Sequence, residues 1–314
     1  MSVINNANPG SHIPSLIFID RILNRRIIKS SEFISIDSLI EQHRPDNLFL
    51  GEEKGNDGKF ISNCNPKLLE TIEFWTEQNL WESSIDGIKA FSERSTDLNL
   101  SSRIIRTIFS KQYNLQTGST IEPLIRGICL FLALDEVTFS KKGFFKHTEI
   151  PSINSRYMPE RSKDDTRLTI NPYDSGRFAE YGLLLGFMEK VSKDKYVVDP
   201  TRLIKVFLSD IFSETGGESI SIHIFIERLN RYIPVFDRGE YRVEIETMMQ
   251  TKKSDWNPSP PHRLSKGLSH ALYRLNLEGF IYLNRLSDSL DAVTLSLPNG
   301  ESRTESHIRI TGDK

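Results

Sequence analysis

Two cysteines in 314 residues, Cys64 and Cys129, are too few and too far apart to staple a fold, and neither belongs to a CxxC or mixed Cys/His pattern. A disulfide framework and a structural zinc site are thereby excluded, and reduced thiols point to a cytoplasmic protein. Long apolar runs are missing too. The densest, Ile128–Leu134, falls far short of the roughly 20 residues that cross a bilayer, and no basic leader precedes an apolar core near the start, so no membrane partner is expected. Nor is there an excess of one charge: 40 basic against 42 acidic residues give a formal net charge of −2. Any nucleic-acid site must then arise from local patterning rather than from a globally basic surface.

Glycine loops that cradle phosphates, nucleophile elbows and HExxH pairs are absent as well. Gly216–Gly217 lacks a following Lys-Ser/Thr or a GxGxxG spacing and reads as a turn. Asp135–Glu136 with Lys141–Lys142 contains residue types used by metal-dependent nucleases, but it follows a buried-looking helix rather than a strand that would present both carboxylates. Glu244 and Glu246 alternate on a possible strand, where a solvent-facing carboxylate row explains them equally well. Lone histidines such as His223 carry no ligand spacing. The expectation is a non-enzyme that needs neither cofactor nor metal.

What is present is clearest from Pro261 to Leu297, which reads as a helix, a break at Gly279 and two strands, Phe280–Leu283 and Ala292–Leu297, joined by a polar turn. That order outlines a winged helix. At about 100° per residue, Leu264, Leu268, Ala271, Leu272 and Leu275 cluster on one side of the helix, while Arg263, Lys266, His270 and Arg274 form a separate stripe. The stripe is the candidate nucleic-acid contact. An alternative has the same cations solubilising the helix or pairing with another lobe. Asp288 and Asp291 in the predicted wing turn disfavour entry of the wing into DNA, which leaves the helix as the contacting element.

The same element order recurs upstream. Pro14, Leu16, Ile19, Leu23 and Ile27 predict a first helix through about Ile28; Ser35 or Asp37 caps a short second one ending near Pro45. After a polar loop, a third helix from Asn65–Pro66 buries Leu68, Leu69, Ile72 and Trp75 and is followed by a hairpin from Leu80–Trp81. Its outer side bears Lys67, Glu70, Glu73 and Glu77, which suits protein docking better than phosphate contact. Residues 98–140 read as helical, the second segment apolar nearly all round. Ser140–Tyr173 reads as a long loop carrying Lys141, Lys142, Lys146, Arg156, Arg161, Lys163 and Arg167, which either faces solvent or straps a nucleic acid or acidic partner. Phe178–Lys190 predicts a helix, SKDKYVVDP a hairpin, Thr201–Phe212 and Ile220–Leu229 further helices, Gln250–Pro261 a linker, and the residues after Pro298 an exposed tail with at most one strand at His307–Ile310.

The fold class is therefore mainly α with small β-hairpins, α+β, with several winged-helix-like lobes joined by helices: residues 1–95, a helical middle region at 96–171, a second lobe at 172–249 and a C-terminal lobe at 262–314. GSHIPSLIF at the start, NPKLLETIEFWTEQNLWE in the first lobe and ICLFLALDEVTF in the middle resemble DpdG, an accessory protein of bacterial 7-deazapurine DNA-modification and restriction clusters. The resemblance lies chiefly in the first 140 residues and transfers no catalytic residue. It implies a component of a DNA-modification or antiphage defence assembly, partnered by the other subunits and, through the C-terminal stripe, by double-stranded DNA. Two other functions fit the same sequence: a dimeric winged-helix transcriptional regulator, and an enzyme whose site converges only in three dimensions.

Overall fold

The computed structural model describes residues 2–5, 9–27, 32–43, 50–54, 60–62, 64–91, 99–118, 120–138, 144–160, 167–216, 218–286 and 291–311. Helices dominate, and the strands form short antiparallel sheets, so the class is α+β. The chain divides into two compact units: Asn5–Lys111, and Gln112–Lys314 together with Met1–Ile4.

In the first unit, α1 (Ile13–Ile27) buries Leu16, Ile19 and Leu23 at helical spacing. The short α2 (Ile36–His43) is capped by Ser35, whose Oγ accepts from the Ser38 amide at 3.1 Å. Where a polar loop was expected, β1 (Leu50–Lys54) and β2 (Phe60–Ser62) form a hairpin before α3 (Cys64–Glu77). Leu68, Ile72 and Trp75 are buried as their spacing requires, and the Trp75 indole donates to the Gly10 carbonyl at 3.2 Å. Leu69, expected on the same face, is instead 42% exposed. It lies next to Leu68, about 100° around the helix, outside the stripe that meets the core.

Asn79 turns the chain out of α3 with a φ of 66°, a left-handed conformation that asparagine tolerates. The hairpin β3 (Trp81–Ser84) and β4 (Gly87–Ala90) follows. Gly87 is required there: φ is 127°, and a Cβ would stand 1.9 Å from the Ile34 carbonyl oxygen. That close approach lets Ile34 pair with Ile88 on the free side of β4. The unit ends in α4 (Leu100–Phe109), capped by Asn99. Arg103 of α4 meets Asp20 of α1 in a bidentate ion pair of 2.7 and 2.6 Å, both side chains almost wholly out of water, and the Trp81 indole donates to the same carboxylate at 3.2 Å.

The second unit is organised around α5 (Glu122–Ala133), every residue of which is buried. Its one guanidinium, Arg126, donates to the carbonyls of Leu115, Thr117 and Leu168, and burial pulls its pKa down to about 10. The expected loop at Ser140–Tyr173 is only partly a loop. β5 (Phe145–Lys146) and α6 (Ile150–Tyr157) lie within it, because Ile150, Ile153 and Tyr157 recur at helical spacing and become buried despite the polar composition around them. Lys146, Arg156 and Arg167 of the basic series are among the described residues; Lys141, Lys142, Arg161 and Lys163 lie outside them. The helix expected at Phe178–Lys190 starts and stops earlier, as α7 (Pro172–Leu185). Asn171 caps it, Pro172 opens it, and Gly186 ends it at φ 83°. Then come β6 (Met188–Ser192) and β7 (Lys195–Val198), with β7 between β5 and β6.

Next are α8 (Thr201–Phe212), β8 (Ile220–Ser221), α9 (Ile222–Tyr232), α10 (Glu240–Lys252) and α11 (Lys266–Leu277). α10 extends over Gln250–Lys252, three residues into the expected linker, and places Glu244 and Glu246 on different sides of a helix rather than on one side of a strand. The largest departure is at the C-terminus. β9 (Ile281–Asn284) and β10 (Val293–Ser296) do not pair with each other. β10 turns at Pro298–Asn299–Gly300, Gly300 having φ 87°, and pairs with β11 (Ser302–Glu305), whereas β12 (His307–Ile310) lies between β8 and β9. A Pro-Asn-Gly turn is a stronger hairpin nucleus than the eight residues separating β9 from β10, and it draws the supposed tail into the sheet. Of the two wing-turn acids, Asp291 is described and Asp288 lies outside the described residues. Among the described residues no helix is long and apolar enough to cross a membrane.

The buried Asp20–Arg103 pair generates the first prediction. Arg103→Leu leaves a carboxylate in the core without its counterion, and Asp20→Asn leaves a guanidinium; each should destabilise the Asn5–Lys111 unit by about 3–5 kcal/mol. Chemical denaturation followed by tryptophan fluorescence, which reports Trp75 and Trp81, checks it.

Candidate functional site

The four cations assigned to one stripe meet different surroundings on α11. Ser265 caps the helix, and Asp237 accepts from both the Ser265 amide at 2.7 Å and its hydroxyl at 2.6 Å. Lys266 follows. Its backbone N–H donates to Asp135 at 3.2 Å, and its ammonium lies 3.7 Å from the other oxygen of that carboxylate. Both groups are partly exposed. One turn on, His270 is 4% exposed, and Gly267, Leu268, Ser269, Ala271 and Leu272 around it are buried too, so this part of α11 has almost no solvent face. Burial, with Lys266 adding to it, pushes the His270 pKa down against the opposing pull of Asp199, Asp135 and the Leu297 backbone, so the ring is neutral at neutral pH. The ring that the stripe was expected to offer to a phosphate is thus buried among its neighbours.

Arg274 is engaged on three sides. It donates to Glu189 of β6 at 2.8 Å, to Asp199 at 2.7 Å and to Glu278 at 2.9 Å. Asp199 is almost wholly buried and also accepts from the Thr201 amide at 2.9 Å and from the Thr201 hydroxyl. Burial opposes the Arg274 charge, but the hydrogen bonds and charges of these carboxylates outweigh it and raise its pKa. Arg263 alone of the four falls among the exposed residues; its backbone bridges to Thr294 of β10. The stripe is thus one exposed arginine, one lysine beside a carboxylate, one neutral buried imidazole and one arginine that neutralises the core.

Around Lys266 and His270 lies a cleft of about 770 Å³, lined also by Glu136, Glu149, Arg156 and the Leu297–Gly300 turn. Glu136 accepts from Arg156 and from the Tyr157 hydroxyl, both at 3.3 Å. The two carboxylates weighed for nuclease chemistry therefore sit on a single 3-10 turn, Asp135–Val137, each with a cation beside it, while Lys141 and Lys142 lie outside the described residues. Among the described residues no group of three or more His, Cys, Asp or Glu side chains could hold a metal ion. His223 stands beside the Arg238 guanidinium at 2.6 Å.

Sequence reasoning did not find the buried charges that anchor α11. Asp237, Arg242 and Glu246 form a chain in which Arg242, 2% exposed, donates to Glu246 at 2.6 Å and stands 3.9 Å from Asp237. Burial raises the Glu246 pKa, and Arg242 opposes the rise. The signal was the i,i+4 spacing of Arg242 and Glu246, visible only once the segment is read as a helix.

A protein-family model described as DpdG-like matches residues 1–289. No curated protein and no solved structure matches the chain.

Two predictions follow from α11. Arg274→Gln removes the charge that compensates Asp199 and should cost about 2–3 kcal/mol, less than a fully buried pair because Arg274 is partly exposed. The second concerns pH. Because the His270 pKa lies below its unfolded value, the unfolded chain takes up a proton first as pH falls below about 6.5, so this group's share of stability is complete above that pH and is lost on acidification. Denaturation midpoints across pH 5–8 should accordingly fall less steeply toward acid for His270→Gln than for the wild-type chain.

Proposed function

The chain belongs to the DpdG-like family, and from that premise we propose that it is a non-enzymatic adaptor, built of winged-helix-like lobes, in a bacterial DNA-modification and restriction assembly. The winged-helix reading is supported by a strand order that recurs three times. Ile34, β4 and β3; β5, β7 and β6; and β8, β12 and β9 are each arranged so that the first strand in sequence pairs with the last, and helices occupy the interval before the final two. In the third case the β10–β11 hairpin is inserted between the last two strands, as an elaborated wing.

The observation that carries the adaptor reading is the outer surface of the helix preceding each pair of strands. On α3 it presents Glu70, Glu73 and Glu77; on α7 Arg177 is bound to Glu180 at 2.5 Å; on α11 Lys266 and Arg274 already face carboxylates. A phosphate approaching such a helix meets like charge or must replace an existing ion pair, whereas a protein surface with complementary charge does not. Asp135 and Glu136, each beside a cation, support the non-enzymatic part of the reading.

A second reading, direct contact with double-stranded DNA, is favoured by the exposure of Arg263, three residues before α11, and the partial exposure of Lys266 at its start. The two make different forecasts. As an adaptor, the tagged chain purified from its native host should carry other proteins of the modification cluster, identified by mass spectrometry, and should neither cleave DNA nor hydrolyse nucleotides; absence of every such protein would sink the proposal. As a DNA reader, it should bind duplex with an affinity that falls with salt, and Arg263→Glu with Lys266→Glu should flatten the slope by roughly two units.

A further inference from the structure

On the Asn5–Lys111 unit, a groove of about 600 Å³ runs between the outer side of α3, the first turn of α2 and the β3–β4 turn. Four carboxylates line it, Asp37, Glu73, Glu77 and Asp86, and its described lining includes no lysine, arginine or histidine. Two lysines of the same unit are turned to other tasks. Lys89 pairs with Glu82 at 3.0 Å, and the Lys111 ammonium donates to the Glu77 backbone carbonyl at 3.1 Å, beyond the end of α3.

Two large apolar side chains share the groove with these acids. Leu69 is 42% exposed, and Ile85, at the tip of the hairpin turn, is exposed over its full surface. The turn itself has no use for an isoleucine: Ser84 stabilises it by accepting from the Asp86 amide at 3.1 Å, and β-branched residues are poor turn formers. An apolar side chain held wholly in water next to a second one, inside a ring of like charge, marks an interaction surface rather than a packing need.

We propose that this groove docks a basic amphipathic segment of a partner protein, with one apolar anchor between Leu69 and Ile85 and flanking lysine or arginine side chains set against the four carboxylates. The proposal rests on the adaptor reading and gives that reading a place and a partner chemistry. The volume suits one or two anchor side chains, the groove-plus-anchor geometry is that by which amphipathic segments are generally bound, and the unpaired negative field speeds the approach of a basic partner while turning nucleic acid away.

A fluorescein-labelled 18-residue peptide of lysine and leucine at helical spacing serves as the probe, titrated against the full chain by anisotropy. The wild-type chain should bind it, and bind the same peptide with leucine replaced by serine far more weakly. Ile85→Ser and the double substitution Glu73→Gln, Glu77→Gln should each weaken binding by about tenfold, as expected for residues central to an interface, with the melting curve unchanged because all three side chains are exposed. Equal affinity for wild type and both variants overturns the groove assignment while leaving the adaptor reading to the copurification result. Concentration-dependent dimerisation of the wild type that Ile85→Ser abolishes, seen by analytical ultracentrifugation, overturns it in favour of a second copy as the occupant.

Discussion

Carboxylates taken out of water have to be met by donors, and the second unit gathers that requirement onto one helix. Asp237 holds the start of α11 through Ser265, Asp135 meets Lys266 one residue later, and Asp199 receives Arg274 two turns further on. The three acids come from separate parts of the chain: the turn after α5, the residue just before Pro200 and α8, and the segment between α9 and α10. α11 therefore fixes the positions of the elements around it, and the strands that follow inherit its orientation. Asp199 and Asp237 are buried, so replacing either by an apolar residue would strand a donor, and their presence costs desolvation that only close hydrogen bonds offset; Asp135 stays exposed beside Lys266.

A parallel logic governs the first unit with fewer parts. Asp20 of α1 takes both guanidinium nitrogens of Arg103 and the Trp81 indole, so one carboxylate joins the first helix, the hairpin and the last helix. Each unit also consumes a buried arginine internally, Arg103 by Asp20 and Arg242 by Glu246, while the groove on α3 is rimmed by carboxylates.

An adaptor needs surfaces that differ while its framework repeats. The strand order in which the first strand pairs with the last supplies such a framework three times, and it constrains mainly the buried sides of the helices. The outer sides are then free to diverge: acidic and apolar on α3, internally paired on α7 and α11. On the proposed adaptor reading, that divergence would let the helices meet different partners without any change of fold.

Much of the helical content was legible from the sequence because helix formation is local. Leu16, Ile19 and Leu23 mark α1 by spacing alone, Thr201–Phe212 matches α8 at both ends, the burial of Trp75 follows from its place in the apolar stripe, and GSHIPSLIF with its companion segments pointed to the DpdG-like family. α6 escaped notice because three apolar residues in a polar stretch do not look helical until Ile150, Ile153 and Tyr157 find a core to enter. Strand partners and counterions were decided by tertiary structure. β9 joins β12 rather than β10, and the charges of Lys266 and Arg274 belong to Asp135 and Asp199, because pairing energies depend on which groups meet in space, while periodicity records only which face of one element is apolar. A helical wheel assigns His270 to a polar stripe; only the neighbours packed around α11 determine that His270 is buried while Arg263 in the same stripe stays exposed.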